Sequence, residues 1–150
     1  MKNPIVCLVL AAVVSTVLAC GSQPPADVPR MTSTERALIG VYDRFRDGLI
    51  LDGAGTHIVV YGDKLHVIAR DKYGDDYLFP LIMLASSDVV VDPDLIMPGM
   101  VLTIPDLRRN LEDENARETL RAFLREIARV EDDLDQPAVA DGLRAKADSL

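Results

Sequence analysis

Apolar residues fill positions 5–18, interrupted only by Ser15 and Thr16. Positions 21–31 reverse that pattern: Pro24, Pro25 and Pro29 among Gly, Ser and Gln leave no basis for a core element. Thr32 and Glu35 have the spacing of a capping box. Leu38, Val41, Tyr42, Phe45 and Leu49 then recur at helical intervals with charges between them, so a helix is expected over 33–52, stopped by Gly53 and Gly55. Its Tyr–Phe face reads as core packing. Positions 56–61 (Thr-His-Ile-Val-Val-Tyr) are β-branched or aromatic and predict a strand, turned by Gly62-Asp63. Leu65, Ile68 and Ala69 make a short helical stripe, closed by Tyr73-Gly74-Asp75-Asp76. Pro80 suits the first turn of another helix, with Leu81, Leu84 and Ala85 on its buried side. A loop punctuated by Asp92-Pro93-Asp94 and Pro98-Gly99 leads to a second strand at 101–104. Leu107 and Leu111 lead into a helix over about 114–133, whose apolar face is Leu120, Phe123, Leu124, Ile127, Val130 and Leu134. Pro137 opens a shorter helix over 138–149 carrying Val139, Leu143 and Ala147. The last two helices are expected to form an α-hairpin packed on the first helix.

Length and charge narrow the function. The chain has 150 residues and a formal net charge of −8, room for one ordinary domain with helical attachments. The acidic balance argues against nucleic acid or an anionic membrane face as the main ligand. Two cysteines supply neither a disulfide framework nor a four-thiolate zinc site.

The apolar run at 5–18 makes about 21 Å of helix, short of the ~30 Å hydrocarbon core, and follows a single charge at Lys2. That is the form of a secretory signal peptide, residues 1–19. It ends Val17-Leu18-Ala19-Cys20-Gly21, which resembles a bacterial lipobox: a small residue directly before the cysteine whose thiol receives diacylglycerol. Leu18 is bulkier than the usual residue at its position. The bland alternative is an ordinary secreted signal with a chance cysteine. With lipidation at Cys20, residues 20–32 become a tether, of which the eleven residues 21–31 reach at most about 36 Å, and two or more acyl chains give stable attachment at ~0.8 kcal/mol per buried CH₂. The expected place is the cell envelope, on the periplasmic side of a membrane, with the neutral Gly21 resembling outer-membrane rather than inner-membrane sorting.

The segment Val59-Val60-Tyr61-Gly62-Asp63-Lys64-Leu65-His66-Val67-Ile68-Ala69 resembles the opening of a LysM domain, and Asp92-Pro93-Asp94-Leu95-Ile96-Met97-Pro98-Gly99-Met100-Val101-Leu102-Thr103-Ile104-Pro105 resembles its ending. The Tyr73-Gly74-Asp75 insert is similar to a subgroup with a longer turn between the helices. The resemblance covers residues 56–105. It implies an α+β fold in which a βααβ module, a two-stranded antiparallel sheet with two helices on one side, is flanked by an N-terminal helix and, over 106–150, a C-terminal helical region. It also implies binding of N-acetylglucosamine-containing glycans, chiefly peptidoglycan, in a groove between two loops. Matched onto this sequence, those loops are Gly62, Asp63, Lys64 and Leu65, and Leu95, Ile96, Met97, Pro98 and Gly99.

These residue types suit a neutral sugar polymer. Acetamido groups need the N–H donors and C=O acceptors of loop backbones, glycines allow close approach, and Leu65 and Ile96 offer apolar contact. Each also has a structural alternative: Asp63 as helix cap, Gly99 as turn residue, Ile96 as core. Several positions depart from the family pattern. Lys64 replaces a usual Thr, His66 a common Trp, Met97 and Met100 more polar residues, and Ser86-Ser87 stands where Asn often ends the second helix.

Elsewhere, Arg117, Arg121, Arg125 and Arg129 form a stripe at four-residue spacing. Glu114, Glu118 and Glu126 each precede an Arg by three, so the stripe reads as a balanced, solvated face. No nucleophile constellation, HExxH or phosphate loop is present, so neither catalysis nor a cofactor or metal is expected, and the tail is expected to supply no chemistry. The leading expectation is therefore a lipid-anchored, non-enzymatic peptidoglycan binder. The alternative is an envelope assembly subunit whose C-terminal helices hold a protein partner on a degenerate LysM scaffold.

Overall fold

The computed structural model describes residues 31–150. The expected signal peptide, Cys20 and most of the tether lie outside the described residues. Among the described residues the architecture is α+β: six α-helices and one two-stranded antiparallel sheet, in the order α1 (Ser33–Phe45), β1 (Gly55–Ile58), α2 (Leu65–Tyr73), α3 (Phe79–Ala85), β2 (Val101–Ile104), α4 (Leu107–Glu112), α5 (Glu114–Asp133) and α6 (Pro137–Ser149). Among the described residues no helix is long and apolar enough to cross a membrane.

The capping box forms as expected. Glu35 N–H donates to Thr32 Oγ1 at 3.0 Å, and Thr32 N–H donates to the Glu35 carboxylate at 2.5 Å. The helix expected over 33–52 is shorter, because α1 ends at Phe45 and tightens into a 3₁₀ turn over Arg46–Gly48. Packing gives the reason. Gly48 runs so close to Thr119 of α5 that a Cβ there would meet the threonine side chain at 2.5–3.0 Å, and the chain turns away extended at Leu49. Immediately beyond, Ile50 is held by the side chain of Asn110 from α4.

The strand expected over 56–61 also closes early. Val60 N–H donates to the Asp63 carboxylate at 3.0 Å and Asp63 N–H donates to Val60 C=O at 3.1 Å, so these groups serve a turn. The sheet register pairs Gly55 with Ile104, Thr56 with Thr103, His57 with Leu102 and Ile58 with Val101. Alternation then sends Val59, Leu102 and Ile104 into the core, while Ile58 and Val101 face outward and are more than half exposed. The far edge of β2 is closed by Ser86 at the end of α3: its hydroxyl accepts from Thr103 N–H at 2.9 Å and donates to Thr103 C=O at 3.4 Å.

Helix α3 is buried on all sides from Phe79 to Leu84, rather than on one stripe, and Ala85 is only half-buried. It lies between β2, α2 and α5, so no face is left for water. In α5, Leu120, Phe123, Leu124 and Ile127 are buried as expected, Val130 is half-buried, and Leu134 lies past the helix end and is 46% exposed. Helices α5 and α6 form the expected hairpin, with Ala128, Ala140, Leu143 and Ala147 fully buried along it. Small residues allow close approach of the two backbones. Phe123 joins α5 to α1, its ring centroid 6.1 Å from Tyr42 and 5.6 Å from Phe45. The arginine stripe is paired locally: Arg117, Arg121 and Arg129 pair with the glutamates three residues earlier, and Arg125 reaches Asp148 of α6 at 2.9 Å.

Candidate functional site

The turn between β1 and α2 is built by Gly62 and Asp63. Gly62 has φ +94°, a left-handed conformation that any Cβ would strain. The Asp63 carboxylate accepts from Val60 N–H and lies 2.8 Å from His57 Nε2. An ionised carboxylate only accepts, so the imidazole carries a proton on Nε2. The expectation that Asp63 caps the following helix is thereby corrected: its carboxylate bonds back to the strand. Lys64 occupies the cap position of α2 and supplies no side-chain acceptor. The first N–H groups of α2, at Leu65 and His66, are the kind that a helix itself cannot satisfy, and here they carry no side-chain cap.

The hydrogen bond to His57, reinforced by Val60 N–H, holds the Asp63 carboxyl below its ordinary pKa. A depressed carboxylate stabilises the fold above its unfolded pKa, and that contribution is lost as pH falls through the folded value. The Val60 amide resonance is accordingly expected to keep its hydrogen-bonded shift down the carboxylate range and to move only once Asp63 protonates. Asp63→Asn should abolish that titration. A shift that titrates unchanged in the variant would show that another group governs the turn.

The second loop returns the chain to β2. Gly99, at φ +94°, donates its N–H to Val59 C=O at 2.9 Å, and Met100 C=O accepts from Val59 N–H at 2.8 Å. Gly99 is thus required by turn geometry. Leu95 and Met97 are 59% and 60% exposed, and Pro98 is exposed beside them. Ile96 is half-buried against the core.

Between the two loops lies a cavity of about 550 Å³, within the range of ~300–1,000 Å³ typical of small-ligand sites. Of the nine residues the resemblance places at a glycan groove, Asp63, Lys64, Leu65 and Ile96 line it. Leu65, 2% exposed, is mainly core. Gly62, Leu95, Met97, Pro98 and Gly99 stand outside the lining, on the outer turns. The remainder of the wall comes from residues that pattern did not single out: His66, Asp76, Tyr77, Phe79, Pro93 and Asp94 from the module, and Glu131, Gln136 and Val139 from the corner between α5 and α6. The tail therefore does contribute to the site. Nothing in its sequence marked this, since Gln136 and Glu131 look like ordinary surface residues.

Asp76 is paired with Arg70 at 2.7 Å, and that contact lowers its pKa. Glu131 behaves oppositely: burial, then the nearby Asp94 and Asp92, raises its pKa. Among the described residues neither Asp94 nor Glu131 has a cation within salt-bridge distance. No cluster of three or more metal-ligating side chains occurs among the described residues.

No family model matches the chain, and no solved structure matches it. A stretch of 54 residues, 36% of the chain, is 43% identical to Esterase MT1326 of Mycobacterium tuberculosis (strain CDC 1551 / Oshkosh) and to Esterase Rv1288 of Mycobacterium tuberculosis (strain ATCC 25618 / H37Rv). The match spans 11% of each esterase, so the chain corresponds to about a tenth of the length of these curated relatives.

Proposed function

We propose that this protein binds N-acetylglucosamine-containing glycan, peptidoglycan in particular, without catalysis, and that it does so in the cell envelope from a lipid anchor on Cys20. One observation carries the reading. The two loops that resemble the walls of a LysM groove, separated by some thirty residues in sequence, line a single cavity through Asp63, Lys64, Leu65 and Ile96.

The chemistry of that cavity suits an acetamido sugar. The uncapped first turn of α2 offers N–H donors to an acetyl carbonyl, and the half-buried Ile96 offers apolar surface to its methyl group. Lys64, where the family usually has Thr, leaves those donors uncapped. The lining holds carboxylates, a lysine and an imidazole, polar groups that can bond to the hydroxyls and acetamido groups of a sugar. A single weak site suffices for an anchored protein, since tethering raises the effective concentration of the wall to the order of mM.

The full chain in detergent micelles is expected to sediment with purified sacculi well above a folded control protein treated alike. Recovery in the pellet no greater than the control, with the fold intact by circular dichroism, overturns the proposal. A protein partner retained under those conditions would favour an assembly subunit instead.

A further inference from the structure

The corner between α5 and α6 closes one side of the cavity, and its construction is specific. Asp135 there has φ +58°, the one left-handed non-glycine residue among the described residues. Aspartate tolerates that conformation better than most side chains. Directly after it, Gln136 stands at the cap position of α6, yet its side chain makes no capping bond. Its backbone N–H donates to Glu131 C=O at 2.8 Å, which joins the two residues into one corner. Gln136 and Glu131 both line the cavity. The corner is held against the module by an ion pair between Lys146 and Asp75 and by the Tyr77 ring packed onto Gly142.

We infer that this corner is the hydroxyl-reading wall of the groove, Glu131 accepting from sugar hydroxyls and Gln136 both donating and accepting. The inference rests on the glycan-binding reading and extends it from the βααβ module to the tail. A sugar ring presents hydroxyl donors around its edge, and these are best answered by acceptors that no cation already occupies. Glu131 meets that condition, since among the described residues no cation lies within salt-bridge distance. Burial and the neighbouring Asp94 and Asp92 make its charge costly in the free protein, and a donating hydroxyl relieves that cost. Gln136 adds a group that can bond in both senses.

Titration of the full chain, in detergent micelles, with a β-1,4-linked N-acetylglucosamine tetramer tests the assignment. Glu131→Ala and Gln136→Ala are each expected to weaken binding about tenfold, while Asp43→Ala on the exposed side of α1 leaves it unchanged. The side-chain amide resonances of Gln136 should shift on titration of the unaltered protein, which a purely structural corner would not produce. Binding by the unaltered protein with both variants within about twofold of it, and an unmoved Gln136 amide, overturns the inference while leaving the glycan reading intact. Absence of tetramer binding by the unaltered, folded chain defeats the glycan reading and the inference with it.

Discussion

Asn110→Ala is expected to lower the free energy of unfolding by about 3 kcal/mol. Asn110 is a fully buried polar side chain. Its Oδ1 accepts from Ile50 N–H at 2.9 Å, and its Nδ2 donates to Ile50 C=O at 2.9 Å and to Asp106 C=O at 3.0 Å. The amide thus imitates a strand partner for one residue of the connection between α1 and β1. Truncation leaves the Ile50 donor and acceptor unanswered, at ~1–3 kcal/mol for each group that water cannot reach, while Asp106 C=O keeps its bond from the residue 110 N–H at 3.2 Å. Asn110→Asp should be worse still, because it removes both donors and buries a charge. Arg108→Ala, two residues away and exposed, should change stability by no more than about 0.5 kcal/mol. Urea unfolding measures all three. A loss below about 1 kcal/mol for Asn110→Ala would show that the Ile50 connection finds other partners.

Gly142→Leu should cost about 3 kcal/mol, with an effect on the groove as well. Gly142 lies inside α6, where glycine is normally about 1 kcal/mol worse than alanine. A Cβ at this position would fall well inside 3.0 Å of three ring carbons of Tyr77. Overpacking of that kind costs ~1–3 kcal/mol, occasionally more, and outweighs the gain in helix propensity. The strain is directed at the contact that seats α6 on the module, so Glu131, Gln136 and Val139 should move away from Lys64 and Ile96. Gly40→Ala is the control. Gly40 is exposed in the interior of α1, and a Cβ added there would have nothing within 4 Å, so that change should add about 0.5–1 kcal/mol. The decisive comparison is the pair with Tyr77→Ala. If the ring is the obstacle, Gly142→Leu should cost much less in the Tyr77→Ala background than alone. Equal costs in both backgrounds would place the strain elsewhere.

Much of this architecture was legible because it rests on local chemistry. The Thr32–Glu35 box, Pro80 in a first turn, left-handed Gly74 after α2 and the glutamate–arginine pairs of α5 all involve residues within a turn or two of each other. Periodicity likewise located the strand at Val101–Ile104 and the helix at Glu114–Asp133. The errors occur where a group outside the element took over. Asp63 withdrew Val60 from the strand, Thr119 left no room for a side chain at Gly48, and α5 covered the remaining face of α3.

The candidate site divides along the same line. Two motifs of the right spacing marked the loops that carry Asp63, Lys64, Leu65 and Ile96, since loop chemistry of that kind is written in glycines, prolines and carboxylates. The role of Asp63 was not legible, because capping a helix and closing a turn need the same residue at the same place. The third wall was not legible either. Glu131, Gln136 and Val139 have no signature until α6 folds back along α5.

By itself, then, the sequence determined the kind and order of the elements, apart from α4, and most of the apolar faces, while the resemblance of two loops to a glycan groove implied the sheet pairing. Hydrophobic period and turn residues act over a few positions, and such information survives without a third dimension. Only the tertiary structure decided where α1 and β1 end, which side chain answers the backbone of Ile50, and that the C-terminal hairpin closes the cavity. Those outcomes depend on how closely helices approach through Gly48, Gly142 and the buried alanines, and close approach is a property of surfaces brought together by the fold.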